Sequence, residues 1–325
     1  MKKVFSFMTV FFVSLFLFVS CAGSPKAELV QSQKGLYWTV SGTDSKGNPS
    51  YVHILGTIHM GDDRLYPLPQ EIMDDLENSN RIAAEVGSDD LAETERKMLT
   101  IMMESALKAH GRNLEKELTE EEVNVVVNAI GVQNFTVLKI FEPWVLMDTL
   151  GTLQWTKSGL TAEKGVDTTL MEMLKKKDRK WEGLDTLDDQ LKILSYGTYD
   201  QQLFLLKDLI ADIIDPTQSD EYLVKMYGAY LNGDAETLTQ IIFAEEEEDL
   251  KDLDADTLKF MMEYNNLIIT QRNKAWADKI KTWLKEGGET FIFAGSAHFL
   301  GDGSVFTYLK KNGVLQKESQ DATGL

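Results

Sequence analysis

Cysteine is nearly missing from this chain: Cys21 is the one thiol among 325 residues, which excludes an internal disulfide and any cysteine-ligated metal cluster. Basic charge is short as well, with 33 Lys and Arg against 52 Asp and Glu and a formal net charge of −19. No stripe of Lys and Arg interleaved with aromatic residues occurs, so the clustered phosphate contacts that nucleic-acid binding needs are lacking. Long apolar runs are limited to one, Val4 to Val19, and its 16 residues fall below the roughly 20 that a membrane-spanning helix takes. Packing material is not short. Hydrophobic residues make up 43 % of the chain, with 15 Phe, 10 Tyr and 6 Trp, which excludes an intrinsically disordered polymer.

The apolar run follows Met1-Lys2-Lys3 and precedes Ser20-Cys21-Ala22-Gly23. A positive start, an apolar middle and small residues at the end are the order of a secretory signal, read here as residues 1–20. Cys21 stands where a bacterial lipoprotein carries its acyl chains, although Phe18 occupies a position that is usually aliphatic. A thiol placed there and nowhere else has no disulfide or metal partner, so lipidation of Cys21 is the expectation. It would hold the protein on a membrane of the cell envelope without crossing it. Losing the signal removes Lys2 and Lys3 and moves the formal charge from −19 to −21. Residues 21–34, small and polar, are expected to form a flexible tether, and 35–325 a single domain.

Leu36 to Val40 and Tyr51 to Leu55 read as strands joined by the turn-forming segment Asp44 to Pro49. A helix to Asn78 and a short buried strand, Arg81 to Val86, follow. From about Asp89 to Gln154 apolar residues recur at helical spacing, with Met98, Met102 and Met103 read as core filler and Pro143 as the start of a new helix. A helix over 168–177, a strand over 180–185 and further helices over 187–286 come next. Trp276 and Trp283 read there as core anchors, and the acidic run Glu245 to Asp249 as a solvated helix face. Strands at both ends with helices between them predict a mixed α/β (α+β) fold: one central mixed sheet built from N- and C-terminal segments, carrying a large helical insertion.

Two of the strands share one construction. Tyr51 to Gly61 and Thr290 to Gly301 are each an apolar β-like run halted by a glycine (Gly56, Gly295), then a hydroxyl residue (Thr57, Ser296), a spacer and a histidine (His59, His298). With 23 glycines in 325 positions, two of four histidines would follow a glycine at this spacing by chance about 3 % of the time, so the repeat is taken as meaningful. A glycine at a strand end lets the backbone turn and deliver a side chain over the sheet edge. If the strands are neighbours, His59 and His298 meet, and paired imidazoles suggest a metal site or proton transfer. Glu85, at the end of its own strand before a glycine, is the natural third member. Two imidazoles and a carboxylate suit Zn²⁺, Mn²⁺, Co²⁺ or Fe²⁺, and without metal a histidine could still act as general base. His53 reads as structural and His110 as exposed.

These residues, together with Tyr66-Pro67-Leu68-Pro69, Pro143-Trp144, Gly165-Val166-Asp167, Gly183-Leu184-Asp185-Thr186, Gln190-Leu191 and Arg272-Asn273, occur in an order that resembles the TraB/GumN family. That family includes the TIKI metalloproteases and is related to the erythromycin-esterase and ChaN-like proteins. The resemblance covers about Leu36 to Val314. It implies a mixed α/β fold with His59, His298 and Glu85 in one cleft, and metal-dependent hydrolysis as in the TIKI branch. Arg272 and Asn273 match the family's Arg-Asn pair and are expected to bind a substrate carboxylate or a developing oxyanion. Asp185 stands where glutamate is more usual, with a shorter reach. The expectation is an envelope-anchored, metal-dependent hydrolase of a peptide or small acyl substrate. The alternatives are a lipoprotein that binds a secreted peptide or haem-like ligand without chemistry, and a metal-free esterase.

Overall fold

The computed structural model describes residues 27–32, 35–243 and 253–316. The expected signal, Cys21 and the run Glu245 to Asp249 lie outside the described residues. The strands are β1 (Glu28–Gln31), β2 (Tyr37–Thr43), β3 (Pro49–Thr57), β4 (Arg81–Val86), β5 (Glu182–Asp185) and β6 (Gly288–Gly295), arranged in one sheet as β1-β2-β3-β6-β4-β5. The first three form an antiparallel meander, and β3, β6, β4 and β5 are parallel. The sheet is thus mixed and is closed by chain segments from the two ends, as expected.

Burial explains which strands are central. In β6 Phe291, Ile292, Phe293 and Ala294 are all fully buried, an unbroken apolar run that needs cover on both faces. Helix Arg272–Glu286 covers one face with Trp276, Ala277, Ile280 and Leu284, while helix Gln70–Asn78 contributes Ile72 and Leu76 to the same core. The long connections between β4 and β5 and between β5 and β6 supply the helical insertion. It has its own core, in which Leu114, Val126, Leu146, Leu150, Leu206 and Ile210 pack together. Pro143 opens helix Pro143–Lys157 as predicted, and Thr119 begins helix Glu120–Ile130 with a reciprocal capping box to Glu122. Among the described residues no helix is long and apolar enough to cross a membrane.

Two expectations change. Residues 28–31, read as tether, form β1, which pairs with β2 from Glu28↔Ser41 to Gln31↔Trp38. The outer edge of β2 carries backbone donors and acceptors that need partners, and β1 supplies them. Ala27 extends the attachment: its N–H donates to the Val314 carbonyl at 2.8 Å. Met98 and Met102 pack against the Phe141, Trp144 and Val145 cluster, but Met103 is exposed. Positions 98 and 102 share a helix face, and 103 lies about 100° round from 102 at 3.6 residues per turn.

The histidine of β3 that lies outside the G-x-x-H pattern is buried among side chains of the sheet. His53 sits between Tyr37 and Tyr51, at ring distances of 6.4 and 6.2 Å, with Nδ1 3.1 Å from Thr39 Oγ1. Tyr37 in turn donates its hydroxyl to Asp75 on helix Gln70–Asn78 at 2.5 Å. Burial, and then this bond to a carboxylate, hold the Tyr37 phenol far above its ordinary pKa of 10.0. Below that value both folded and unfolded chains keep the proton and the stabilisation is complete; above it only the unfolded chain gives the proton up, and stability falls with rising pH. Tyr37→Phe is expected to lower stability at pH 7 by about 1.5–3 kcal/mol, the range for a hydrogen bond to a charged group. It should also make the loss of stability above pH 10 shallower, as read by urea denaturation across pH.

Candidate functional site

The parallel register brings the two G-x-x-H motifs together. Gly56 pairs with Ala294 and Thr57 with Gly295, so His59 and His298 leave the sheet at the same edge, the carboxyl ends of adjacent parallel strands. Glu85 arrives from β4, whose Ala84 pairs with Phe293, and Asp185 is the last residue of β5. Ligand sites in open α/β sheets occupy this edge.

Gly295 lies at the centre. An added Cβ there would stand 3.1 Å from Glu85 Oε1 and 3.8 Å from both His59 Nε2 and His298 Cδ2. The three residues singled out from sequence therefore surround one small space that glycine leaves open. His59 Nε2 and Glu85 Oε1 are 4.0 Å apart, with 68 % of the His59 side chain exposed against 15 % of Glu85. Among the described residues no group of three or more His, Cys, Asp or Glu side chains, this trio included, stands close enough together to hold a metal ion as placed.

Each imidazole is held by its Nδ1. His59 Nδ1 lies 2.9 Å from Asp167 Oδ2, and Thr57 donates its hydroxyl to Asp167 Oδ1 at 2.5 Å. The Asp167 carboxylate raises the His59 pKa to about 9. His298 is buried. Its Nδ1 lies 2.6 Å from Asn273 Oδ1, while Asn273 Nδ2 donates to the Gly303 carbonyl at 2.8 Å, which fixes the amide so that His298 Nδ1–H is the donor. Trp276 lies 4.2 Å from the His298 ring, centroid to centroid. Burial, with the Arg272 charge second, lowers the His298 pKa to about 3. His298 is thus a neutral imidazole with its Nε2 lone pair free.

Arg272 binds the carboxylates. Its Nη2 donates to Glu85 Oε2 and its Nε to Asp185 Oδ2 at 2.8 Å. Gln190 Nε2 bridges the same two acids at 3.2 and 2.9 Å, and Trp276 Nε1 donates to Asp185 Oδ1 at 2.7 Å. Glu85 Oε1 accepts the Gly295 N–H at 2.9 Å. Burial by itself would raise the Glu85 pKa, but the Arg272 charge, the charged His59 ring and this N–H hold the carboxyl well below its usual range.

Of the residues expected from sequence, His59, His298 and Glu85 share the space at Gly295. Arg272 is 10 % exposed and its donors are directed at Glu85, Asp185 and the Ile268 carbonyl, while Asn273 is fully buried behind His298. Both have their polar atoms engaged by neighbouring residues of the chain. Asp185 is committed to Arg272, Gln190 and Trp276. His53 is buried under helix Gln70–Asn78, and His110 is exposed with φ 51°. Sequence reasoning assigned no role to Asp167, Thr57 or Gln190. The segment Gly165-Val166-Asp167 was the available signal, because a glycine before an acid in a helix's first turn marks both a close approach and a charge suited to the helix N-terminus.

A mixed α/β protein with two imidazoles and a braced carboxylate at the carboxyl ends of its parallel strands is the class defined by this fold and site. The chain belongs to the TraB/PrgY/gumN family, whose model matches residues 36–316. It is 28 % identical over 312 residues to an uncharacterised protein of Treponema pallidum (strain Nichols), covering 92 % of this chain and 88 % of that protein. With the uncharacterised protein YbaP of Escherichia coli (strain K12) the identity is 22 % over 270 residues, covering 82 % of this chain and 90 % of that one. No solved structure matches the chain.

Removing the guanidinium would leave two carboxylates, 15 % and 7 % exposed, without their cation. Arg272→Met is therefore expected to destabilise the fold by about 3–5 kcal/mol, the range for breaking a buried ion pair from one side. Urea denaturation measures this, and adding Glu85→Gln to the variant should recover part of the loss.

Proposed function

We propose that this protein is an envelope-anchored, metal-dependent hydrolase of a peptide or related acyl bond, held to the membrane through an acylated Cys21. The observation that carries the reading is the pair of imidazoles, each fixed through Nδ1 by a separate acceptor, with Glu85 Oε1 beside them around the space at Gly295. Histidines that bind metals use one ring nitrogen and donate the other N–H to an outer partner in this way. His59 Nε2, His298 Nε2 and Glu85 Oε1 would hold the ion, His59 releasing its Nε2 proton to solvent on binding, and the donor set suits Mn²⁺, Co²⁺, Zn²⁺ or Fe²⁺. Such an ion, when bound, supplies Lewis acidity that polarises a carbonyl and acidifies water.

The chain's own residues do the rest. Asn273 keeps His298 neutral with its lone pair forward, and burial maintains that state at any working pH. Arg272 and Gln190 hold Glu85 ionised and anchor Oε2, leaving Oε1 to face the cleft. The exposed His59 edge marks where solvent and substrate enter.

A second reading draws on the Asp167–His59 pair: a carboxylate-supported imidazole can carry protons as an acid–base catalyst without metal. Chelator treatment separates the two, since the metal-free enzyme would keep its activity. For the soluble body beginning at Ala22, which keeps β1, the metal reading expects a bound transition metal and peptide or ester cleavage, both lost in the His59→Ala, His298→Ala double variant. Unchanged metal content and cleavage would remove it. Gly295→Ala should fold, because its φ of −48° is open to any residue, yet lose about 10-fold in kcat/KM, because its Cβ would crowd Glu85 Oε1 at 3.1 Å and shift that carboxylate by less than the displacement of about 1 Å that costs about 100-fold.

A further inference from the structure

Three features converge on the exposed imidazole from a part of the chain outside the two G-x-x-H strands. The segment after helix Pro143–Lys157 pairs with the His59 loop: Gly61 N–H donates to the Thr161 carbonyl and Thr161 N–H to the Gly61 carbonyl, both at 2.9 Å. Gly165 then passes so close to the loop that an added Cβ would lie 2.1 Å from the His59 carbonyl oxygen, and the next N–H, of Val166, donates to the Ile58 carbonyl at 3.0 Å. One residue later Asp167 is 7 % exposed and divides its two oxygens between Thr57 and His59. Backbone closeness, backbone pairing and a buried carboxylate all serve one ring.

We propose that Asp167, oriented by Thr57 and delivered by the Gly165 approach, is a positioning residue that fixes the orientation of the His59 ring and commits Nδ1–H to the protein, so that Nε2 is the nitrogen presented to the cleft. The contrast with the other histidine supports this. His298 is walled in by Trp276 and needs only a neutral amide to set its Nδ1. His59 has little packing around it, with 68 % of its side chain open, so its orientation depends on the bond to Asp167 and on the backbone that brings that carboxylate near. The inference rests on the hydrolase reading only for its catalytic consequence. The hydrogen bond itself does not depend on that reading.

The test uses proton and nitrogen NMR of the metal-free soluble body, with the His59 ring assigned by its absence in His59→Gln. A hydrogen-bonded Nδ1–H signal downfield of the amides is expected in the wild type and should vanish in Asp167→Ala. Thr57→Val, which leaves Asp167 in place but frees one of its oxygens, should weaken that signal without removing it. In parallel, Zn²⁺ affinity is expected to fall about 10–100-fold in Asp167→Ala, the usual effect of removing a ligand's outer partner. A His59 Nδ1–H signal that is unchanged in a folded Asp167→Ala protein would overturn the proposal even if metal binding and hydrolysis were found. An intact effect of Asp167 on the ring in a protein that binds no Zn²⁺ and cleaves nothing supports the positioning role and defeats the metal reading alone.

Discussion

The parallel pairing of β3 with β6 is the constraint from which the remainder follows. These strands are more than two hundred residues apart in sequence, and closing such a loop is entropically unfavourable, so the strands must repay it through burial. They do so by being apolar on both faces: Val52, Ile54, Phe291, Ile292 and Phe293 are fully inaccessible. Register then decides the chemistry. Because Thr57 lies opposite Gly295, the two histidines leave the sheet at one level. A slip of one residue would turn every side chain of β6 to the other face and separate them.

Electrostatics complete what register begins. Four acidic side chains, Glu85, Asp167, Asp185 and Glu142, lie wholly or largely out of solvent in a chain that is already strongly acidic. At the sheet edge Arg272 compensates two of them at once, with Gln190 bridging and the Gly295 N–H adding a donor. The helix that carries Arg272 also carries Trp276, which both seals the core and donates to Asp185. A single helix therefore packs the sheet, neutralises its charged edge and, through Asn273, holds His298. Positive charge is spent inward here, and the open side of the site is left to the imidazole of His59.

What could be read from the sequence followed physical signal strength. Strands β3 and β6 and the strand of Glu85 announced themselves as apolar runs ending in glycine, and Pro143 marked a helix start because it cannot extend the preceding one. The meeting of His59, Glu85 and His298 followed once the two motif strands were taken as neighbours. Strand β1 was illegible, since Glu28–Gln31 has weak alternation and exists because β2 needs an edge partner. The inward direction of Arg272 and Asn273 was hidden for a related reason. Their residue types suit a substrate as well as a neighbour, and the choice is made by acids 187 and 87 residues away and by a histidine 25 residues on. Asp167 was quoted as part of a pattern without a role, because nothing local says which ring it will meet.

The attachment of β1 has a consequence for where the protein can work. Ala27 is bound to the backbone of Val314 and β1 is paired along β2, so five residues, 22–26, separate this attachment from the acylated Cys21 we propose. Fully stretched, that leash reaches about 20 Å. With the acyl anchor we propose, the body would meet only those molecules that pass within about one protein diameter of the bilayer.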